Sequence, residues 1–163
     1  MDIRIEAPSD HETIYQLTKA AFAPMPFSDG SEPDRIDALR RDGHLTLSLV
    51  AEDITGIVGH IAFSPVSFNG HEDRWFGLGP IAVWPRLQKR GIGSALVNEG
   101  LGRLRRTGAH GCVLIGDPNY YGRFGFRSGD GLTYRDLPSR LVQWLSFGDD
   151  EPAGVLRFSL GLE

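Results

Sequence analysis

The residues whose types and spacing best support chemistry are six in a row, Gln88-Lys89-Arg90-Gly91-Ile92-Gly93, followed by Ser94. Two cations and an amide donor stand beside two glycines. An apolar run from Leu78 to Val83 precedes them, Trp84-Pro85 stops it, and helical spacing follows. A helix N-terminus leaves backbone N–H groups without intrahelical partners and adds positive potential there. Gly91 and Gly93 would let a ligand come right up to those groups, so the turn reads as an anion site, most naturally for phosphate or pyrophosphate. A P-loop would place Lys-Ser/Thr after the glycines, whereas here the lysine precedes them. A dinucleotide fingerprint would need a third glycine where Leu96 stands.

The elements that must position this turn can be read around it. At about 100° per residue, Ile92, Gly93, Leu96, Val97, Gly100, Leu101 and Leu104 fall on one half of a helix reaching about Thr107. Gly93 and Gly100 on that buried half would let the helix approach a sheet closely, while Gly102 lies on the wet side. Upstream, Ile3 to Ala7 reads as a strand. Ser9 with Glu12 forms a capping box for a helix carrying Ile14, Leu17 and Ala21, and a second helix starts near Ser31 and stops at Gly43. Strands follow over 45–52, 57–68 and 74–83, the last two joined by the hairpin signal Asn69-Gly70. Pro80 inside the last of them predicts a bulge, or a place where a neighbouring strand has moved away. Beyond the helix, Gly111 to Ile115 is a buried strand, Asn119 to Phe124 a short helix, and Gly125-Phe126 turns into a further strand. The tail predicts two strands, 141–147 and 154–162, paired as a terminal hairpin around Asp149-Asp150-Glu151.

The 163 residues suit one domain, taken as 1–163, and 40% hydrophobic with 23% charged residues is ordinary for a globular chain. A formal net charge of -4 argues against nucleic acid as the main partner. The single cysteine, Cys112, cannot form an internal disulfide, which fits a reducing compartment. With no apolar leader or spanning segment in the sequence, the expected location is the cytoplasm, with no membrane partner.

The turn, as Gln-x-x-Gly-x-Gly between a strand and a helix, resembles the signature of the GNAT superfamily of acyl-CoA-dependent N-acetyltransferases. Tyr121-Gly122-Arg123-Phe124-Gly125-Phe126 resembles the family's second motif, Tyr-x-x-x-Gly-Phe. The resemblance implies a GNAT-like α/β fold: a mixed, mostly antiparallel twisted sheet with helices on both faces and splayed fourth and fifth strands. It implies acetyl-CoA as acyl donor without a metal, and an amine as acceptor. The pantetheine arm would lie along Ile81, Ala82 and Val83, with the diphosphate on the turn from Gln88, Lys89 and Arg90 through Gly91, Ile92 and Gly93 to Ser94. Asn119 joins the cofactor-binding set. Tyr121 maps onto the usual general acid, with the adjacent Tyr120 as the alternative.

The family often carries a glutamate on the fourth strand, where this chain has Gly77, Leu78 and Gly79. Candidates for the base are His60 and Asp117. Asp117 followed by Pro118 also reads as a helix N-cap with proline at the first position, and His60 also reads as an ordinary strand histidine. His11, His44, His71 and His110 lack metal-ligand spacing. Cys112 reads as a small buried hydrophobe, and Trp144 as aromatic packing of the tail or the lining of an acceptor pocket. A non-catalytic acyl-CoA-binding sensor and a nucleoside triphosphate enzyme stay open on the sequence alone, as does a homodimer.

Overall fold

A computed structural model describes residues 1–163. The elements are β1 (Asp2–Ile5), α1 (His11–Phe22), α2 (Glu32–Arg41), β2 (Leu47–Asp53), β3 (Gly56–Phe68), β4 (Trp75–Val83), α3 (Ile92–Arg106), β5 (Gly111–Ile115), α4 (Pro118–Tyr121), β6 (Leu132–Thr133), β7 (Val142–Ser146) and β8 (Gly154–Phe158). The sheet runs β1-β2-β3-β4-β5-β7. Along that path only β4 and β5 pair in parallel.

Alternation along the strands sends successive side chains to opposite faces, and each face has its own cover. On one face Leu49, Ile61, Phe63, Cys112 and Leu114 meet Leu96, Val97, Leu101 and Leu104 of α3. On the other, Val50 meets Ile14 of α1 and Ile36 of α2, and Ala82 meets Leu17 and Ala21 of α1. The close approach of α3 depends on Gly100, where an added Cβ would stand 2.4 Å from the Phe63 ring. No helix is long and apolar enough to cross a membrane.

Asn69 and Gly70 adopt positive φ (50° and 83°) and turn β3 into β4, as their pairing predicts. The irregularity expected at Pro80 is present. Ile61 opposes Ile81 and Phe63 opposes Leu78, so Gly79 and Pro80 bulge from β4 across from Ala62.

Three local expectations are corrected. The Ser9–Glu12 capping box does not form, because Pro8–Asp10 makes a 3-10 turn and α1 starts at His11. There the Asp10 carboxylate accepts from the Ala7 amide (2.6 Å) and from Arg4 (2.7 Å). No strand starts directly at Gly125-Phe126, and the next one is the two-residue β6. Arg127 makes a single bridge to Trp144, and the turn-forming Ser128-Gly129-Asp130 then leads the chain away. The two tail strands do not pair with each other: β7 joins β5, while β8 joins the end of β3 and the two-residue β6. Trp144 packs in the cluster with Trp75, Val113 and Leu156.

Candidate active site

The site begins where two strands part. β5 matches β4 only at Trp75, Phe76 and Gly77, and its remaining residues pair with β7 alone. From Leu78 to Val83 the edge of β4 facing β5 therefore has no strand partner, although β3 holds the opposite edge on either side of the bulge. Exposed backbone donors and acceptors on such an edge call for a ligand.

That edge runs directly into the turn. Lys89 and Gly91 take positive φ (64° and 85°) and bring the chain round to α3, for which Gly91 is the N-cap. The first helical hydrogen bond runs from the Ala95 amide to the Gly91 carbonyl (3.0 Å), which leaves the amides of Ile92, Gly93 and Ser94 ahead of the ladder. A groove of about 550 Å³ joins the two features, lined by Ile81, Ala82, Val83, Gln88, Lys89 and the start of α3, with Tyr120 and Arg123 opposite. This volume lies in the range of small-molecule sites.

Most of the sequence-predicted set meets here. Ile81, Ala82, Val83, Gln88, Lys89, Gly91, Ile92, Gly93 and Ser94 all line the groove. The Gln88 amide has a different employment from the one expected, since its Nε2 donates to the Val83 carbonyl (3.1 Å) and ties the turn to the strand end. Arg90 and Asn119 are exposed and stand outside the groove lining, and Tyr121 stands outside it as well, with Tyr120 in its place. The Asn119 backbone amide donates to Asp117 Oδ1 (2.9 Å), which makes Asp117 the cap of α4.

The two tyrosines divide. Tyr120 faces the helix start, its hydroxyl 3.3 Å from Ser94 Oγ and 3.4 Å from where a Gly93 Cβ would stand. Arg123 lies across it, with Nε donating to the Tyr120 carbonyl (2.9 Å) and the guanidinium 4.4 Å from the ring centroid. Arg123 and Lys89 are thus the cations that border the groove. Arg123 and Leu87 escaped the sequence reading, and the three-residue spacing of Tyr120 and Arg123 was the available signal for the former.

Tyr121 turns toward the core beneath Gly116, where an added Cβ would meet its ring at 2.7 Å. It stacks edge-on with Tyr120 and Phe126, and its hydroxyl has no hydrogen-bond partner within the protein. Burial, with smaller contributions from Tyr120 and Cys112, pushes its pKa up to about 12. The phenol therefore keeps its proton across the neutral range. Cys112 is wholly buried and its thiol is pushed up by burial, which removes it as a nucleophile.

Of Gly77, Leu78 and Gly79, where a fourth-strand glutamate is often found, a Cβ at Gly77 would stand 2.7 Å from the Phe158 ring, while Gly79 has open space but a φ of 138°. No group of three or more His, Cys, Asp or Glu converges as a metal site. His60 is fully buried on β3, opposite Ala82.

A family model described as the acetyltransferase (GNAT) family matches residues 11–126. An Escherichia coli K12 protein described as uncharacterized N-acetyltransferase YhbS is 40% identical over 127 residues, 77% of this chain and 73% of its own length. A GNAT family acetyltransferase from Brucella melitensis, solved in complex with acetyl-CoA, superposes with a TM-score of 0.90 at 46% identity, covering 99% of this chain and 97% of that one. The structure of Escherichia coli YhbS in complex with CoA also superposes at 0.90, with 33% identity, covering 99% of this chain and 91% of its own.

Proposed function

Because this chain belongs to the GNAT acetyltransferase family, we propose that it moves an acetyl group from acetyl-CoA directly to a primary amine. One observation carries the reading: an unpaired strand edge and a bare helix N-terminus open into the same groove. The edge at Ile81, Ala82 and Val83 suits the amides of a pantetheine arm, which would add to the sheet as a strand does. The amides of Ile92, Gly93 and Ser94, with the charges of Lys89 and Arg123, suit the diphosphate. That relatives were solved in complex with acetyl-CoA and with CoA supports the choice of coenzyme.

Three tasks then fall to the protein. Backbone N–H groups beside the bulge stabilise the oxyanion that develops when the amine attacks the thioester carbonyl; Gly79 and Ile81 have such groups and Pro80 has none. Tyr121 serves as the proton source for the departing thiolate, because burial keeps its phenol protonated across the neutral range. A base takes the remaining proton from the nitrogen. The balance is one N–H proton delivered to the base and one phenolic proton to sulfur; the amide keeps its other N–H, and the proton taken by the base returns to the phenolate through solvent.

Thiol release from acetyl-CoA across a panel of primary amines tests the reading, with Tyr121→Phe as the diagnostic variant. Turnover that falls in the variant while coenzyme affinity holds is the expected result. Coenzyme binding without turnover for any amine, and indifference to the variant, would instead identify a coenzyme sensor.

A further inference from the structure

The two walls of the groove meet at one polar contact. Tyr120 of α4 and Ser94 of α3 share a hydrogen bond between their hydroxyls (3.3 Å). The Tyr120 oxygen also lies 3.4 Å from where a Gly93 Cβ would stand, and Ile81 Cδ1 of β4 lies 3.9 Å from the same point. The phenol therefore stands where the bare amides of α3 give way to the unpaired edge of β4, beside any ligand that uses both. Each hydroxyl has one proton, and within the pair one donates while the other accepts. The second proton has no acceptor in that contact.

Arg123 backs the phenol from its own helical turn. Its Nε donates to the Tyr120 carbonyl (2.9 Å), and the guanidinium lies 4.4 Å from the ring centroid without a carboxylate partner. One of five N–H donors is thus used, and the terminal nitrogens are left as a free fork. Edge-on contacts with Tyr121 and Phe124, at centroid distances of 4.9 and 5.5 Å, hold the Tyr120 ring in place. The chain has a formal net charge of -4, yet the residues lining the groove include Lys89 and Arg123 and no acid. Spare donors and positive charge on this wall call for a ligand that is anionic and only accepts.

We propose that Tyr120 and Arg123 form the second jaw of the diphosphate site. When the coenzyme binds, the hydroxyls of Tyr120 and Ser94 exchange their mutual hydrogen bond for two donated to the diphosphate, and the Arg123 fork closes on the same group. This rests on the acetyl-transfer reading and divides the adjacent tyrosines by task, Tyr120 holding the coenzyme and Tyr121 supplying the proton to sulfur. The exchange is favourable because an ionised diphosphate accepts from both hydroxyls, and a bond to a charged acceptor is stronger than the neutral one given up. Ring and fork are already held, so little freedom is lost on binding.

Titration calorimetry with CoA and the thiol-release assay test it together. Tyr120→Phe, which keeps the ring under the guanidinium, should bind CoA about 10-fold more weakly, and its loss in turnover should fall on KM for acetyl-CoA rather than on kcat. Arg123→Gln should weaken CoA by a similar factor at low salt, with the loss shrinking as ionic strength rises. Arg123→Lys should keep the salt dependence but recover only part of the affinity. Dephospho-CoA, which retains the diphosphate and lacks the 3′-phosphate, should show the same losses. S-acetylpantetheine, which lacks the diphosphate, should be turned over with the same kcat/KM by wild type and Tyr120→Phe, whereas Tyr121→Phe should slow both donors. CoA bound equally well by wild type and Tyr120→Phe, or a Tyr120→Phe loss that persists with S-acetylpantetheine, would overturn the proposal. So would Arg123 losses that vanish with dephospho-CoA, which would put the guanidinium on the 3′-phosphate instead. A wild type that binds no CoA would defeat the acetyl-transfer reading itself.

Discussion

The cradle at the start of α3 can be interrogated by Gly91→Asn and Gly91→Asp together. Gly91 has φ 85°, and no atom lies within 4 Å of a Cβ built there. Each variant therefore meets no clash and carries only the strain of a left-handed residue, about 1–2 kcal/mol, in the residue types that tolerate this conformation best. For a chain of this size that is about 2–8 °C in Tm, nearly the same for both. The two side chains are close in shape and differ by one charge. A pair of unit charges about 4 Å apart is worth about 1 kcal/mol in water and about 4 kcal/mol near a protein surface. Gly91 is exposed, which favours the lower figure per charge, but a diphosphate carries more than one, so about 2–4 kcal/mol is expected. At 1.4 kcal/mol per decade, Gly91→Asp should bind CoA about 30-fold to about 700-fold more weakly than Gly91→Asn at low salt. The gap should close as ionic strength rises. Titration calorimetry with CoA, beside thermal unfolding of both variants, supplies the numbers. Equal affinities, or a gap untouched by salt, would mean that the diphosphate does not rest on these amides.

Other perturbations follow from the same geometry. Tyr121→Phe should lower kcat by about 100-fold with little change in CoA affinity, and wild-type kcat should show no alkaline decline from this group below about pH 11, because burial holds the phenol near 12; a limb near the ordinary tyrosine value would count against it. Gly100→Ala should destabilise the protein on thermal unfolding, since its Cβ would meet the Phe63 ring at 2.4 Å, an overpacking of about 1–3 kcal/mol against a helix-propensity gain of about 1 kcal/mol. Gly102→Ala, which meets only the flexible end of Arg106 at 3.4 Å, should stabilise it by up to about 1 kcal/mol. Burial depresses His60 to about 4 from 6.5, so its contribution is present above pH 6.5 and lost as pH falls through 4. Denaturant unfolding should register that loss as about 3 kcal/mol, and His60→Gln should remove this component of the acid sensitivity.

What the sequence disclosed is what backbone geometry demands of particular residues. Asn69-Gly70 and Gly91 sit at positive φ, Pro80 marks the bulge, and Gly100 marks a helix pressed on a ring; each leaves a residue type that few alternatives replace. The division between Tyr120 and Tyr121 was not legible, because it depends on the phase of a single helical turn relative to Ser94 on one side and Gly116 on the other. His60 was named from the sequence, but its link through Ser48 to Glu6 was not legible: the three are 42 and 12 positions apart and meet only through the registers of β1, β2 and β3, where Ser48 Oγ lies 2.7 Å from His60 Nε2 and donates to Glu6. The tail strands were found, but their partners were not. An edge strand's choice of neighbour depends on which edges the rest of the sheet leaves open, and here β5 and the end of β3 were the open ones.

The coincidence of strand edge and helix end has a topological origin. Antiparallel neighbours can be joined by a tight turn, but the one parallel pair on the main path, β4 and β5, needs a crossover, and α3 is that crossover. A crossover helix must start beyond the carboxyl end of the first strand, and β4 ends where β5 has already diverged. The bare amides of α3 and the unpaired edge of Leu78 to Val83 are thus brought together by connectivity, as ligand sites are at the carboxyl ends of parallel strands generally. Side chains are needed mainly to keep α3 close. Gly59, whose Cβ would stand 3.0 Å from both Ile92 and Leu96, and Gly100 against Phe63 set that distance. Enlarging either residue should lift the helix, and with it the cradle, away from the strand edge, so that coenzyme affinity falls even though neither glycine lines the groove.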